Sequence, residues 1–239
     1  MSYSKILLPP IKRSLKRLKK LRERKNISLC RALEYEAING MIFKGKTLDI
    51  GGGRNNSYYD LVQFDGAVES LNIDEKYYPT IIADLNYDLP IEDNSYDNFI
   101  CLNTYEHIRD DHKAIEESFR ILKNGGHFVI AVPFLYKIHA SPYDFSRRTP
   151  YWWESKFQEM GLDISQIVIE PLVWDTISTS FFTWHPLNHG LLAKLVMLRS
   201  VFKDRNIKGE RLPHLEKYME ITDYSLAFLI KGKKIIKNA

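Results

Sequence analysis

The chain has little cysteine and lacks a long apolar run. Its 239 residues include two cysteines, Cys30 and Cys101, which exclude a disulfide framework, a CxxC motif and a zinc-ligand spacing. Such cysteine usage is typical of the reducing cytoplasm. No apolar stretch approaches the roughly 18 residues of a membrane-spanning helix, and residues 6–8 are too few for a signal-peptide core. The sequence therefore predicts a cytoplasmic protein with no metal site and no transmembrane helix.

Acidic residues are scarce at the start of the chain. The formal net charge is +4, but residues 1–25 hold ten Lys/Arg and one acid, Glu23, so the remainder is mildly acidic. We predict a basic N-terminal arm over residues 1–27, with a helix over 11–25 that carries a narrow leucine stripe. Three alternatives stay open for the arm: packing of the stripe on the domain, contact with anionic lipid at the inner face of the membrane, or contact with nucleic-acid phosphates.

Three consecutive glycines directly follow the apolar run 47–50. A strand that ends at a glycine loop is typical of nucleotide-binding α/β folds, because the ligand approaches the main chain closely there. We expect a helix near 56–64 after this loop, capped by Asn55 or Asn56. The GxGxxG fingerprint of dinucleotide-binding dehydrogenases requires a third glycine at the position of Asn56, so the sequence argues against that class.

Strand and helix patterns alternate through the rest of the chain, as βα units require. We expect one α/β domain over residues 28–239, with a helical, aromatic-rich insertion over 174–218 before the final strand. A helix over 28–39 begins the domain, with Ser28 as its N-cap. The further predicted elements are, in chain order, strands 46–50, 68–73, 80–83 and 98–102, helix 111–123, strand 127–133, helix 150–160, and strands 162–173 and 224–231.

Six short sequence blocks are individually weak but specific when taken together. They are Leu48-Asp49-Ile50-Gly51-Gly52-Gly53, Asn72-Ile73-Asp74, Ala83-Asp84-Leu85, Leu89-Pro90 through Asp97, Tyr105-Glu106-His107-Ile108 and Arg120-Ile121-Leu122-Lys123-Asn124-Gly125-Gly126. Over about residues 46–135 the chain resembles the class I S-adenosylmethionine-dependent methyltransferases, of the small-molecule, type 11-like kind. The resemblance implies an α/β fold with a Rossmann-like seven-stranded mixed sheet, its last strand antiparallel, and helices on both faces.

The resemblance implies S-adenosyl-L-methionine as the cofactor and assigns residues to its methionine portion. These residues are Asp49, Gly51, Gly52 and Gly53, the glycines acting through their backbone. Asn103, after the fourth predicted strand of the domain, would also lie against the methionine portion, near the transferred methyl group. The family often has a further glycine where this chain has Asn55, and Asn tolerates positive φ better than other non-glycine residues.

The nucleoside portion of the cofactor is assigned to acids that follow the next two predicted strands. By the resemblance, Asp74 would accept hydrogen bonds from the ribose hydroxyls. Asp84 would accept a hydrogen bond from the adenine amino group, and the backbone of Leu85 would lie beside the ring. A cap of the following turn is the alternative role for Asp74.

A polar loop over residues 134–150 leaves the carboxyl end of the predicted sheet, where ligands bind in open α/β folds. It resembles the His…Pro-x-Asp-Phe…Arg-x-Thr segment of a subset of bacterial methyltransferases that often act on saccharides or other cell-surface precursors. The candidate substrate-binding residues in this loop are Tyr143, Arg147 and Arg148.

Methyl transfer to an oxygen requires a base that takes the acceptor proton. His139 is the first candidate, since the usual pKa of histidine suits neutral pH, and Asp144 is the second. The alternative for Asp144 is an ion pair with Arg147 or Arg148 that fixes the loop. His107 is expected to brace or pack against the loop rather than to act as a catalyst.

The sequence therefore predicts a methyltransferase that acts on a small-molecule or saccharide-like acceptor. Two alternatives from other classes stay open. One is an RNA-directed methyltransferase or nucleic-acid binder that uses the basic arm, although no RNA-recognition motif is present. The other is a cofactor-binding protein without turnover. The patterns make no prediction of the oligomeric state.

Overall fold

The computed structural model describes residues 4–8, 11, 15–139, 142–173, 195 and 225–237 of the chain. The strands in these residues are β1 (Ile42–Lys44), β2 (Thr47–Ile50), β3 (Gln63–Asp65), β4 (Val68–Asn72), β5 (Ile81–Ile82), β6 (Tyr96–Leu102), β7 (Leu122–Pro133), β8 (Ile167–Leu172) and β9 (Ala227–Lys233). The α-helices are α1 (Leu15–Lys25), α2 (Leu29–Ile38), α3 (Asp111–Ile121) and α4 (Pro150–Glu159). Every described helix is too short or too polar to span a membrane. The predicted insertion 174–218 lies outside the described residues, apart from residue 195.

Seven of the strands form one mixed sheet in the order β5-β4-β2-β6-β7-β9-β8. Strand β2 lies between β4 and β6 and is parallel to both. Strand β9 lies between β7 and β8 and is antiparallel to both. The predicted sheet, with its last strand antiparallel, is therefore confirmed.

Different helices cover the two faces of the sheet. Along β6, Phe99 and the next residue, Ile100, belong to different buried clusters, because successive side chains of a strand point to opposite faces. Helices α3 and α4 pack on the Phe99 face, where Phe119 of α3 lies 5.4 Å from Phe99 between ring centroids. Helices α1 and α2 pack on the Ile100 face, which includes Leu18 of α1. Both faces are thus buried, as the central parallel strands require.

The helix boundaries follow the capping signals in the sequence. Ser28 precedes α2, and its hydroxyl oxygen accepts a hydrogen bond from the Arg31 amide at 3.2 Å. Thr149 plays the same role for α4 by accepting from the Trp152 amide at 3.3 Å, and Pro150 occupies the first position of that helix. Both arrangements satisfy amides that a helix N-terminus leaves unpaired.

The helix expected near 56–64 is wrong. The structure has a 3₁₀ turn at Tyr59–Leu61 followed by strand β3, and neither Asn55 nor Asn56 caps an α-helix. The physical reason lies partly in Asn56, whose side-chain amide donates to the carboxylate of Asp49 and so is committed to a different partner.

A small second sheet, which was not predicted, accompanies this irregular stretch. Strands β1 and β3 pair in parallel outside the main sheet. Phe43 of β1 stacks on Phe64 of β3 with ring centroids 5.5 Å apart, and Tyr59 meets Phe64 edge-on at 5.4 Å. Aromatic side chains favour extended backbone, and their mutual packing here overrides the helical pattern.

The N-terminal arm packs on the domain. Leu18 of α1 is fully buried, and the Arg17 guanidinium lies 2.8 Å from the Glu36 carboxylate on α2. Lys25 reaches Asp60 at 2.7 Å. Upstream, the backbone around Leu7 bridges to Ile169 at the edge of the main sheet. Of the three alternatives for the arm, packing on the domain is therefore the one that the structure shows.

Candidate active site

The carboxyl ends of the parallel strands β2, β4, β5, β6 and β7 lie along one edge of the sheet, where open α/β folds bind ligands. At the end of β2 is a cavity of about 300 Å³. It is lined by Ile27, Arg31, Tyr35, Asp49, Ile50, Gly51, Gly52, Asn56, Ser57, Tyr58 and Leu102. Residues from α2 thus form one wall of this cavity, and the glycine loop forms another.

Asp49 places a carboxylate in this cavity wall although its side chain is only 1% exposed. One oxygen accepts hydrogen bonds from the Asn56 amide and, at 2.8 Å, from the Tyr59 hydroxyl. Burial raises the pKa of Asp49 to about 6, against the lowering effect of hydrogen bonds from Tyr58, Tyr59 and Asn56. Among the described residues, Asp49 is hydrogen-bonded to neutral side chains and forms no ion pair. Such a buried carboxylate is suited to receive a ligand ammonium group.

The glycine loop packs tightly against its own domain. Gly51 has a φ of +81°, in the left-handed region that favours glycine. A Cβ on Gly52 would lie 2.1 Å from a carboxylate oxygen of Asp49. The Asn72 side-chain amide, at the end of β4, donates to the carbonyl oxygens of Gly51 at 2.9 Å and Gly52 at 3.1 Å. No role was predicted for Asn72 from the sequence, although its position at the end of a strand was a signal.

The two acids assigned to the nucleoside both lie in turns after their strands. Asp74, after β4, is half-buried; it accepts a hydrogen bond from the Lys76 amide at 3.0 Å and forms an ion pair with the Lys76 ammonium group. Asp84, after β5, accepts from the backbone and side-chain amides of Asn86 at 2.9 and 2.7 Å. The Leu85 side chain is buried in the core on the α3 face. Asp74 thus caps its turn, as the alternative required, and its carboxylate remains partly accessible.

Asn103, directly after β6, does not present a free side chain to the cavity. Its φ is +53°, and its side-chain amide donates to Glu34 of α2 at 2.8 Å. Glu34 is 1% exposed and also lies 3.4 Å from Arg31. Glu34 was not identified from the sequence, because nothing in its local pattern separates it from an ordinary helix-surface acid.

The loop after β7 is held by internal ion pairs. Both carboxylate oxygens of Asp144 bind the Arg147 guanidinium, at 2.5 and 2.6 Å, and this cation lowers the pKa of Asp144 to about 2. Arg148 binds Asp111 of α3 through two bonds of 2.8 Å. The ion-pair alternative for Asp144 is therefore present in the structure. Tyr143, by contrast, is 60% exposed.

Two histidines meet a buried acid between the ends of β6 and β7. Glu106 is 1% exposed, and burial raises its pKa to about 8. The rings of His107 and His139 lie 5.0 Å apart between centroids. His107 contacts the backbone oxygen of Tyr143, so it braces the loop as expected. Glu106 stood in a quoted sequence block but was given no role.

Together these features define the class of protein to which the fold belongs. A glycine loop follows the central strand β2, and acids follow β4 and β5, the next two strands toward one edge of the sheet. With the antiparallel strand β9 between β7 and β8, this is the arrangement of the class I, Rossmann-like methyltransferase fold. The cavity fits the methionine portion of S-adenosylmethionine, because a buried carboxylate faces it and main chain without side chains lines it.

Comparison with known sequences agrees with this class. Residues 48–130 match the sequence model of a family described as a methyltransferase domain. The match shows a methyltransferase domain over residues 48–130, and the predictions of the class I fold and of S-adenosyl-L-methionine as the cofactor agree with it. An uncharacterised protein of Methanocaldococcus jannaschii is 32% identical over 102 residues, which make up 41% of this chain and 50% of that protein. The chain thus matches about half the length of this relative.

Solved structures share the fold. One belongs to the complex between the Haloferax volcanii Trm112 methyltransferase activator and a protein described as a methyltransferase. The match has a TM-score of 0.53 and 19% identity, and it covers 92% of this chain and 95% of that one. Another is an S-adenosylmethionine-dependent methyltransferase from Archaeoglobus fulgidus, with a TM-score of 0.50 and 12% identity over 91% of this chain and 94% of that one. At these identities the likeness shows the fold.

The raised pKa of Asp49 predicts a pH-dependent cost in stability. Because the folded protein holds this proton more tightly than the unfolded chain, the free energy of unfolding falls as pH rises from about 4 to about 6 and stays lower above that range. Asp49→Asn removes the buried charge, so the variant should gain about 1–3 kcal/mol over wild type at pH 7 and little at pH 4. Urea denaturation at both pH values measures the difference.

The exposed acid Glu92 provides the control for this experiment. Glu92→Gln should leave the free energy of unfolding unchanged within about 0.5 kcal/mol at either pH. An Asp49→Asn variant that loses the same stability at pH 4 and pH 7 would show that the carboxylate is stabilising and would contradict the assignment.

Proposed function

We propose that this protein transfers a methyl group from S-adenosylmethionine to a small-molecule or saccharide-like acceptor, as in cell-surface polysaccharide metabolism. The observation that carries the proposal is the buried Asp49 beside the glycine-lined cavity, within the matched residues 48–130. The cofactor's ammonium group would neutralise the carboxylate. Because burial of this charge destabilises the protein without cofactor, its neutralisation would contribute to the binding free energy. A methylated acceptor and S-adenosylhomocysteine would be the products.

We place the acceptor at the ends of β6 and β7, beside the loop 134–148. Tyr143 offers an exposed ring and hydroxyl there, and aromatic rings are common in saccharide sites because they cover the apolar faces of sugars. Arg147 and Arg148, also predicted to bind substrate, are bound to carboxylates. Their proposed contribution is to hold the loop in shape and to present their remaining N–H groups.

His139 is the proposed base, with Asp144 as its supporting acid. The carboxylate of Asp144 accepts from the His139 amide at 2.9 Å and lies 3.2 Å from the His139 Nδ1 atom. A proton on Nδ1 is thereby favoured, which leaves the lone pair on Nε2 to accept the acceptor proton. Asp144 is thus proposed to orient the imidazole rather than to take the proton directly.

We place the reaction in the cytoplasm at the inner face of the membrane. Helix α1 supports this location, because lysines such as Lys16, Lys19 and Lys20 are exposed and are suited to anionic lipid. Saccharide precursors carried on lipid would be within reach of a protein held there.

The ribose assignment predicts a loss of cofactor affinity. Asp74→Asn should weaken binding of S-adenosylhomocysteine about tenfold or more, because charge-assisted hydrogen bonds to the two ribose hydroxyls are lost. Isothermal titration calorimetry measures the change. Glu75, the neighbouring exposed acid, provides a matched control, and Glu75→Gln should bind S-adenosylhomocysteine like wild type. Equal affinity of Asp74→Asn and wild type would remove the ribose role.

The acceptor class can be identified with methyl-labelled S-adenosylmethionine and separated soluble and membrane fractions of a cell extract. Label should enter a product that resists protease and ribonuclease, and it should appear in the membrane fraction if the reaction occurs there. Label in RNA or protein would contradict the proposed acceptor. Label in the soluble fraction alone would contradict the membrane location.

The role of His139 predicts a loss of turnover without a loss of cofactor binding. Once the labelled acceptor has been identified, turnover can be measured. His139→Gln should lower kcat by a factor of about 10²–10⁴, the range for removal of an acid–base group. S-adenosylhomocysteine affinity should stay within about twofold of wild type, since the imidazole lies on the acceptor side. His112→Gln, on α3, is the control, and its kcat should equal that of wild type. Full turnover of His139→Gln would exclude the base.

A further inference from the structure

The Glu106 carboxylate is the most unusual group in the described part of the chain. It lies in the 3₁₀ turn after β6, is 1% exposed, and neither of its oxygens has a hydrogen-bond partner among the described residues. No Lys or Arg that the structure describes lies within ion-pair distance of it. Burial of a carboxylate without partners is costly. Protonation would remove the charge but would leave a buried hydroxyl that still lacks an acceptor.

Two imidazoles face this carboxylate. The Nε2 atom of His107 lies 3.7 Å from Glu106 Oε1, and the Nε2 atom of His139 lies 3.8 Å from the same oxygen. Both distances are too long for a hydrogen bond. The two rings therefore lie against the carboxylate without satisfying it, and three potential ligand groups meet at one point.

The other nitrogen of each ring has a carbonyl partner. His107 Nδ1 lies 2.5 Å from the backbone oxygen of Tyr143, and His139 Nδ1 lies 3.2 Å from the backbone oxygen of Lys137. A carbonyl oxygen only accepts, so each Nδ1 is placed to donate, and a neutral ring in this tautomer has its lone pair on Nε2. Histidines that bind metals have the same arrangement, in which the distal N–H donates to a carbonyl or carboxylate.

We propose that Glu106, His107 and His139 bind one divalent transition-metal ion. Their nearest ligand atoms all lie within 4.8 Å of one another. Metal bonds to histidine nitrogen and carboxylate oxygen of about 2.0–2.2 Å can be reached if the side chains close in by about an ångström. Two imidazoles and one carboxylate favour zinc, manganese, iron, cobalt or nickel over magnesium or calcium, which prefer oxygen ligands.

Three protein ligands would leave coordination positions open for the acceptor. This use of the ion, unlike its binding, rests on the proposed methyl transfer. An acceptor oxygen bound to the ion would have a lowered pKa and would release its proton to solvent. The oxygen would then form a bond to the methyl carbon, while the carbon–sulfur bond breaks and its electron pair stays on sulfur. As a ligand, His139 would no longer serve as the base.

Cobalt(II) titration of the full chain tests the site directly. The protein is first freed of metal with a chelator, and Co²⁺ is then added while the visible absorption spectrum is recorded. A saturating absorption band at one equivalent, lost when Zn²⁺ is added, is expected. Absence of saturable binding by the metal-free wild-type chain would overturn the proposal without recourse to any variant.

Variants show whether these residues hold the ion. Glu106→Gln and His139→Gln keep the side-chain size approximately and should each weaken Co²⁺ binding at least tenfold. His127, exposed near the middle of β7, provides the control, and His127→Gln should bind like wild type. Circular dichroism confirms that each variant is folded. Unchanged affinity in both site variants, or an equal loss in the control, would assign the ion to other residues and contradict the proposal.

Binding of S-adenosylhomocysteine to the same metal-free samples separates the two proposals. If the cofactor product binds but Co²⁺ does not, the metal site is excluded and the methyltransferase proposal stands. If Co²⁺ binds through Glu106 and the histidines but S-adenosylhomocysteine does not bind, the metal site stands and the proposed function is contradicted.

Discussion

The buried carboxylate of Asp49 is the constraint on which the cofactor end of the structure depends. It lies in the central strand β2, between β4 and β6, and is only 1% exposed. Asn56 and Tyr59 turn back toward it and donate hydrogen bonds. This return requires a tight chain reversal directly after β2, which the glycines permit. This buried acid thus shapes the cavity and contributes, together with the aromatic packing around Phe64, to the irregular backbone that follows it.

The sheet could be predicted from the sequence, because each central strand has a continuous apolar pattern and ends at a recognisable loop. The glycines after β2 marked the end of that strand correctly. The Gly125-Gly126 pair did not mark the start of β7, which begins at Leu122 rather than at the predicted residue 127. The helix expected near 56–64 was wrong, because local pattern does not show that Asn56 is bound to Asp49 or that Phe64 stacks on Phe43. Such contacts depend on the tertiary fold, which routinely overrides local propensity.

The positions of the proposed cofactor residues could be predicted from the sequence better than their contacts. Asp49 and Asp74 lie at the strand ends where the family pattern placed them. The bond from Asn103 to Glu34 joins residues 69 positions apart, and no short-range signal could predict it. For the same reason the sequence did not show that Glu106 would be buried between two histidines, one of them from a separate loop.

The two sides of the site are stabilised differently. On the cofactor side, hydrogen bonds from neutral side chains hold the glycine loop and Asp49, which leaves the acid available to a cation. On the acceptor side, ion pairs such as Asp144–Arg147 fix the loop after β7. Glu106 is the exception there, since it is buried and lacks a hydrogen-bond partner among the described residues. A rigid loop around an unsatisfied carboxylate is the arrangement expected of a site prepared for a ligand.

A crystal structure of the chain with S-adenosylhomocysteine would show directly whether Asp49 binds the cofactor. We expect the ligand's methionine portion in the cavity at the end of β2, with its ammonium group within hydrogen-bond distance of Asp49. The ribose hydroxyls should lie at Asp74, and the sulfur should point toward the ends of β6 and β7. A ligand bound elsewhere, or one whose ammonium group does not approach Asp49, would contradict the account.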